Sequence, residues 1–158
     1  MALQYGTSTP MTITAASLAS AANRSSQAVV TSTVANITQL LCEVSVLTTA
    51  TAPSGNKQIV VYGYMSTDGT NYGGASSTVD NVDGTDKALT AIGSPTNLVF
   101  LGTIQLNQGA VAATIKQEFV VSNSFGCIPP KWGIVLYNDA GTALGATVSA
   151  QYREVYYN

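Results

Sequence analysis

The stretch Ile37-Thr-Gln-Leu-Leu-Cys-Glu-Val-Ser-Val-Leu47 decides the fold class, because apolar and polar residues alternate along it. The apolar positions of one face are Leu40, Cys42, Val44 and Val46, and the polar positions of the other are Gln39, Glu43 and Ser45. Successive side chains of a β-strand point to opposite faces of a sheet, so this period of two predicts a half-buried strand.

Similar segments recur between turn signals such as Asp68-Gly69, whose glycine supplies the positive φ of a tight reversal. About eight strands are predicted in this way. They cover residues 3–14, 27–33, 37–47, 58–66, 97–106, 112–121, 131–137 and 147–157. Antiparallel strands with long connections predict an all-β fold, a two-sheet antiparallel β-sandwich that is jelly-roll-like, with an immunoglobulin-like sandwich as the alternative.

Three of these segments lead to more specific predictions. Residues 58–66 are apolar on both faces, so this strand should be central in its sheet, or its tyrosine face should meet a partner. Residues 131–137 form a nearly continuous apolar run, which is typical of a core strand. In 97–106 the even apolar positions are expected on one face; they are Leu98, Phe100, Ile104 and Leu106.

A chain of 158 residues is sufficient for one domain with a proper core, and we expect a single domain over 1–158. Residues 1–23 are uncharged and can act as an N-terminal arm that orders on contact with a neighbour. Residues 17–23 are the one helix candidate, and the long segment 72–95 is expected to hold a short strand at 76–82. No signal-peptide pattern or membrane-length apolar run occurs, so we expect synthesis in the cytoplasm and no membrane partner.

The composition argues against catalysis. The chain has no histidine, and charged residues are 9% of it, against about a quarter in an ordinary soluble domain. Histidine or a perturbed acid–base pair usually carries catalysis near neutral pH, so we expect no enzyme, no catalytic residue and no cofactor. The acidic cluster of Asp80, Asp83 and Asp86 lacks the spacing of a calcium-binding EF-hand and is read as a solvated turn, with no metal.

Cationic residues and cysteines are also few in this chain. Six lysines and arginines are scattered singly, so no basic stripe exists to bind a phosphate backbone, and nucleic acid is not expected as a partner. Cys42 and Cys127 are expected to be reduced and buried, and a disulfide between them is the alternative.

A charge-poor surface suits burial against protein partners, because interface cores are depleted in charged residues and enriched in tyrosine. The chain has eight tyrosines, several of them in its last ten residues. We therefore expect a homo-oligomer, with a monomer that has a hydroxyl-rich exterior as the alternative.

Two segments carry a family resemblance: Val61-Tyr-Gly-Tyr-Met-Ser-Thr-Asp-Gly-Thr-Asn-Tyr72, and Pro129-Pro-Lys-Trp-Gly-Ile-Val-Leu-Tyr-Asn-Asp-Ala-Gly-Thr-Ala-Leu144 followed by Ser149-Ala-Gln-Tyr-Arg-Glu-Val-Tyr156. In this order they resemble a family of small virion structural proteins of tailed bacteriophages. Pro130 departs from the pattern, in which that position is often arginine. The resemblance implies a capsid-associated β-sandwich used for decoration or cement, or a component of the tail or fibre base.

A second resemblance is shorter. Ser66-Thr-Asp-Gly-Thr-Asn-Tyr72 is similar to the S-x-D-G-x-x-W turn of discoidin-type carbohydrate-binding domains. It implies an alternative role in which the protein binds a carbohydrate and serves host adsorption.

The sequence thus leads to a non-enzymatic phage virion protein that binds and stabilises the assembled head. Its expected partners are the major capsid protein and copies of itself in a homotrimer, because icosahedral lattices offer many three-fold positions. Its expected location is the virion.

Overall fold

The computed structural model describes residues 2–72, 81–92, 98–107, 109 and 111–158. In chain order the elements are β1 (Leu3–Tyr5), β2 (Thr9–Met11), β3 (Asn23–Ser25), β4 (Val29–Val30), β5 (Ile37–Thr48), β6 (Gln58–Ser66), β7 (Lys87–Leu89), β8 (Val99–Gln105), β9 (Thr114–Val120), a short helix α1 (Val121–Phe125), β10 (Lys131–Asp139) and β11 (Leu144–Tyr157).

The strands form two antiparallel sheets that pack face to face. Sheet A has the order β1-β11-β5-β9, with β2 also paired to β11. Sheet B has the order β7-β3-β10-β6-β8, with β4 also paired to β10. Counting β1 with β2 as one strand and β3 with β4 as one strand, and leaving out β7, gives eight strands. Renumbered from 1 to 8 in chain order, sheet A reads 1-8-3-6 and sheet B reads 2-7-4-5, which is the arrangement of a jelly roll.

The predicted all-β sandwich is therefore confirmed. The described residues form eleven strands rather than about eight, because the first thirty residues form four short strands and the segment after β6 adds β7. β6 coincides with the predicted segment, and β5 extends one residue beyond its prediction, to Thr48. Period-two alternation located β5 well because it has one face in the core.

The core lies between the sheets and is built from the predicted inward faces. Leu40, Cys42, Val44 and Val46 have no exposed surface. Trp132 of β10 is also fully buried, and its ring meets the ring of Tyr152 of β11 edge to face, with 5.6 Å between centroids. Because β10 and β11 belong to different sheets, this aromatic pair joins the two layers.

The expectation that Leu98 and Phe100 share a face with Ile104 and Leu106 is wrong, and Leu98 packs in a different cluster from those two residues. Leu101 is an extra residue between the pairs Val61↔Gly102 and Tyr62↔Phe100, which makes a β-bulge. The bulge turns Phe100 outward, where 57% of it is exposed, while Ile104 stays buried.

Glycine is required at this bulge. Gly102 has a φ of 151°, and a Cβ there would lie 2.9 Å from the Phe119 ring of β9. Larger residues would therefore both strain the backbone and clash with the facing strand.

Two local expectations also fail. Residues 17–23 contain turns instead of a helix, and Ser17 and Ala21 have positive φ, which interrupts helical geometry. A short helix, α1, begins at Val121, where a predicted strand was expected to end. Gly126 follows the helix, has the left-handed conformation and terminates it. Residues 76–80 of the strand predicted at 76–82 lie outside the described residues, and Val82 is buried but not in a strand.

The segment proposed as an N-terminal arm lies against its own chain. β1 and β2 both pair with β11, and the N–H of Ala21 donates to the carbonyl of Asn138 in β10 at 2.7 Å. The start of the chain therefore supplies the edge of sheet A next to β11.

Candidate interaction face

The outer face of sheet A points away from the core and is formed by a grid of side chains on three neighbouring strands. Directly opposite residues in an antiparallel sheet share a face, so the pairing of β5 with β9 and β11 defines three rows. These rows are Val120–Leu41–Arg153, Glu118–Glu43–Gln151 and Lys116–Ser45–Ser149. β1 extends the face beyond β11.

One end of this outer face is apolar and exposed. Leu3 lies opposite Tyr157, and Tyr5 lies two residues further along β1 on the same face. Their exposures are 45% for Leu3, 61% for Tyr5 and 40% for Tyr157, and Val120 at the far edge is 36% exposed. Tyrosine at the centre of an exposed patch is a typical anchor of protein interfaces.

The middle of the outer face carries two of the chain's six cationic residues and two of its eight anionic residues. Lys116 Nζ lies 3.4 Å from Glu43 Oε1, and the Arg153 guanidinium lies 3.0 Å from Glu118 Oε2. Gln151 Nε2 donates to Glu43 Oε1 at 2.9 Å. The charges are therefore balanced in pairs, and this part of the face is polar without a net sign.

Arg153 links the two regions. Its guanidinium carbon lies 5.8 Å from the centre of the Tyr5 ring, in addition to its ion pair with Glu118. At an exposed site such a cation–aromatic contact contributes about 0.5–1 kcal/mol. It favours a Tyr5 ring that lies close to Arg153.

The outer face of sheet B is different, because the chain covers part of it. The connection between β6 and β8 brings apolar side chains onto this face, and the resulting second cluster contains Tyr64, Tyr72, Val82, Leu89, Leu98 and Val135. Tyr64 is 1% exposed, and its hydroxyl donates to the Ser26 carbonyl at 2.6 Å. Burial raises the pKa of Tyr64, and the hydrogen bond to Ser26 opposes that rise.

This second cluster resolves the expectation for β6. The strand is central, between β10 and β8, and Tyr64 on its outer face meets the protein's own chain. The exposed ring of Phe100 meets the half-buried ring of Tyr62 beside the cluster, with 6.1 Å between ring centroids. Sheet A therefore offers the more open of the two outer faces.

The acidic cluster is held by internal partners. Asp86 forms an ion pair of 2.7 Å with Arg24 and accepts a hydrogen bond from the Thr14 backbone. Asp83 forms an ion pair of 2.7 Å with Lys87. Asp80 lies outside the described residues. In the part of the chain that the structure describes, no three acidic or cysteine side chains converge as a metal site would need.

These partners shift the pKa values of both carboxyl groups. Burial disfavours ionisation of Asp83, but hydrogen bonds from Lys87 and Thr85 outweigh it and lower the pKa of Asp83 to about 2. In the same way, hydrogen bonds from Arg24 and Thr14 outweigh the effect of burial on Asp86 and lower its pKa. Both groups act as structural anions that hold the segment after residue 81 to β3 and β7.

The two cysteines are both free, as expected, but only one is buried. Burial, with a smaller effect of the Glu43 charge, raises the pKa of Cys42 to about 12. The expectation that Cys127 is buried is wrong, because it follows the left-handed turn at Gly126 and faces solvent. It borders an open cleft of about 400 Å³ together with Ser122 and Asn123.

A smaller cleft of about 280 Å³ lies between the start of the chain and β11, and Tyr152, Glu154 and Tyr156 line it. Glu154 accepts a hydrogen bond of 2.6 Å from the Ser32 backbone N–H and another from the Ser32 hydroxyl. Burial, followed by the charge of Glu154, raises the pKa of Tyr152. Tyrosine rings beside a carboxylate are groups that can bind a sugar.

Comparison with models of known protein families and with curated protein sequences finds no match for this chain. In the described ranges, no helix has both the length and the apolar character needed to cross a membrane.

Proposed function

We propose that the protein is a non-enzymatic structural component of a bacteriophage virion, made in the host cytoplasm, which binds the assembled head as a decoration or cement protein. The major capsid protein is its partner, and the outer face of sheet A is the surface that docks. The observation that carries the proposal is the exposed apolar end of that face, around Tyr5, in a chain with few charges.

The geometry of this face supports docking to a protein lattice. Exposed tyrosine and leucine can be desolvated at little electrostatic cost, and the four charges beside them already balance one another in pairs. A flat sheet face also fits an extended protein surface better than a small molecule, which usually needs a concave site.

The fold is compatible with this role but does not distinguish it from other roles. Jelly rolls occur in viral capsid proteins and in lectins, and a fold alone does not determine function. The resemblance of residues 61–72 and 129–156 to phage virion proteins favours the first of these uses. The homotrimer stays a prediction from lattice symmetry.

Two matched variants test the docking surface. Tyr5→Ser removes a ring that is 61% exposed on sheet A, and Phe100→Ser removes one that is 57% exposed on sheet B. Tyr5→Ser should weaken binding to capsids that lack the protein by at least about tenfold, as expected for an interface anchor. Phe100→Ser should leave binding unchanged. Equal binding by both variants would contradict the proposed surface.

The cleft beside Glu154 favours a second candidate, carbohydrate binding in host adsorption. Tyr156 and Tyr152 lie together there with a carboxylate, as in many sugar sites. Glycan-array binding that is lost in Tyr156→Ala, by a protein that ignores capsids, would support this alternative over the decoration role.

A further inference from the structure

Among the described residues, strand β9 pairs with β5 on one side only, so its other side is a free edge of sheet A. That pairing runs without a register shift from Thr114 to Val120. The other edges in the described part of the molecule are two or three residues long, apart from β8, which carries the bulge at Leu101. Short and bulged edges resist pairing with another sheet, whereas β9 is long and regular.

The hydrogen-bonding groups on this edge follow from the ladder. The N–H of Thr48 donates to the carbonyl of Ala113 in the β5–β9 register. Hydrogen-bonded and non-hydrogen-bonded pairs alternate, so every second residue of β9 directs its backbone groups away from β5. These residues are Thr114, Lys116, Glu118 and Val120. In agreement, the Glu118 carbonyl accepts a hydrogen bond of 3.1 Å from the side chain of Gln117.

We propose that the protein forms a two-fold dimer in which β9 pairs antiparallel with β9 of a second copy, centred on Gln117. This register places Lys116 opposite Glu118 of the second copy, and the same pair recurs on the other side of the axis. On the inner side it places Ile115 opposite Phe119. The outward backbone groups of both strands then bond to each other, and two opposite-charge pairs lie across the new contact.

The charges select this register over its neighbours. A shift of one residue would place outer-face side chains opposite inner-face ones. A shift of two residues keeps the faces but places Lys116 opposite Lys116 or Glu118 opposite Glu118. Like charges directly opposite each other destabilise a sheet, so the register centred on Gln117 is favoured.

The dimer has a consequence for the outer face. Its two-fold axis is perpendicular to the sheet, so the outer faces of both copies point the same way and form one doubled surface. The contact does not rest on the proposed virion role, since it follows from β9 alone. It leads us to expect a dimer of the isolated protein in place of the trimer suggested by lattice symmetry.

Cross-linking tests the register. The two Gln117 residues would form a non-hydrogen-bonded pair with Cα atoms about 4.5 Å apart, which a disulfide can span. In a Cys127→Ser background, Gln117→Cys should oxidise to a covalent dimer on a non-reducing gel. Ser149→Cys lies on the outer face of β11, away from the proposed contact, and should stay monomeric on that gel. No excess of cross-linked Gln117→Cys over Ser149→Cys would overturn the register.

Charge exchange tests the pairing itself, measured by sedimentation velocity of folded variants. Lys116→Glu and Glu118→Lys should each weaken dimerisation by at least about tenfold, because each places like charges opposite one another. The double variant restores opposite charges and should recover the dimer, and the control Ser149→Glu should leave it unchanged. A wild type that is a monomer or a trimer, or a double variant that stays monomeric, would overturn the proposal.

Discussion

Glu43 of β5 and Glu118 of β9 lie directly opposite each other on the outer face of sheet A, although their charges repel. The pair is tolerated because each carboxylate has its own cation, Lys116 for Glu43 and Arg153 for Glu118. Directly opposed like charges destabilise a sheet when they are not compensated. The arrangement makes the stability of this face depend on its two cations.

Removing one cation should therefore cost stability. We expect Arg153→Gln to lower the free energy of unfolding by about 0.5–1 kcal/mol, the scale of an exposed ion pair. The loss should be larger at low salt, where repulsion between Glu43 and Glu118 is less screened. Urea unfolding followed by the fluorescence of Trp132 measures it. Adding Glu118→Gln should restore most of the loss, and a double variant as unstable as Arg153→Gln would contradict the explanation.

The alternation of β5 makes opposite predictions for adjacent residues. Val44 has no exposed surface, so Val44→Asp should prevent folding, because an unpaired buried carboxylate costs several kcal/mol. Ser45→Asp lies on the outer face opposite Lys116 and should keep the fold. Circular dichroism of the two variants provides the measurement. A folded Val44→Asp variant would show that the core face has been assigned wrongly.

Asp83 and Asp86 predict how stability responds to acid. Their pKa values in the folded protein are lowered, so the stabilisation that each provides is present above about pH 4. That of Asp83 is lost as pH falls through about 2, and that of Asp86 is lost as pH falls through its own lowered pKa. Asp86→Asn should cost about 2 kcal/mol at neutral pH, because hydrogen bonds to a partly buried charge are lost. Unfolding curves from pH 6 to pH 2 should show the gap from wild type closing as pH falls.

A partner variant checks the cause of that acid response. Arg24→Met should reduce the pH dependence without abolishing it, because Thr14 still donates to Asp86. An Asp86→Asn variant whose deficit stays constant down to pH 2 would show that the Asp86 carboxylate does not titrate as described.

The cysteines predict a difference in thiol reactivity. Cys127 is exposed and should react with a disulfide reagent in the native protein. Cys42 is buried, and its pKa is raised to about 12, so it should react only after unfolding. The chromophore released by the reagent should correspond to one thiol per chain in the native protein and to two thiols after denaturant is added. Two reactive thiols in the native state would contradict the burial of Cys42.

Much of the fold could be predicted from the sequence because its longer strands are apolar on one face or on both. The alternation in residues 37–47 and the apolar run at 131–137 marked core strands that the structure contains. The bulge at Leu101 and the helix α1 could not be predicted in this way, because they depend on local backbone geometry. The exposed position of Cys127 follows from that helix and was missed with it.

The candidate face could be predicted only in part. The same alternation identified Glu43 and Ser45 as outward-facing, but it does not say which strands are neighbours. The rows that join β9, β5 and β11 depend on pairs distant in sequence, such as Glu43 with Glu118 and with Gln151. The contribution of Tyr5 was missed for the same reason, since β1 pairs with the far end of the chain.

The proposed binding to the assembled phage head can be measured by co-sedimentation with capsids. We expect that purified protein pellets with capsids that lack it, saturates at a fixed number of copies, and does not pellet with capsids that already carry it. Saturated capsids should also withstand higher temperature, because a ligand that binds only the assembled state stabilises that state. A protein that remains in the supernatant at every capsid concentration would contradict the account.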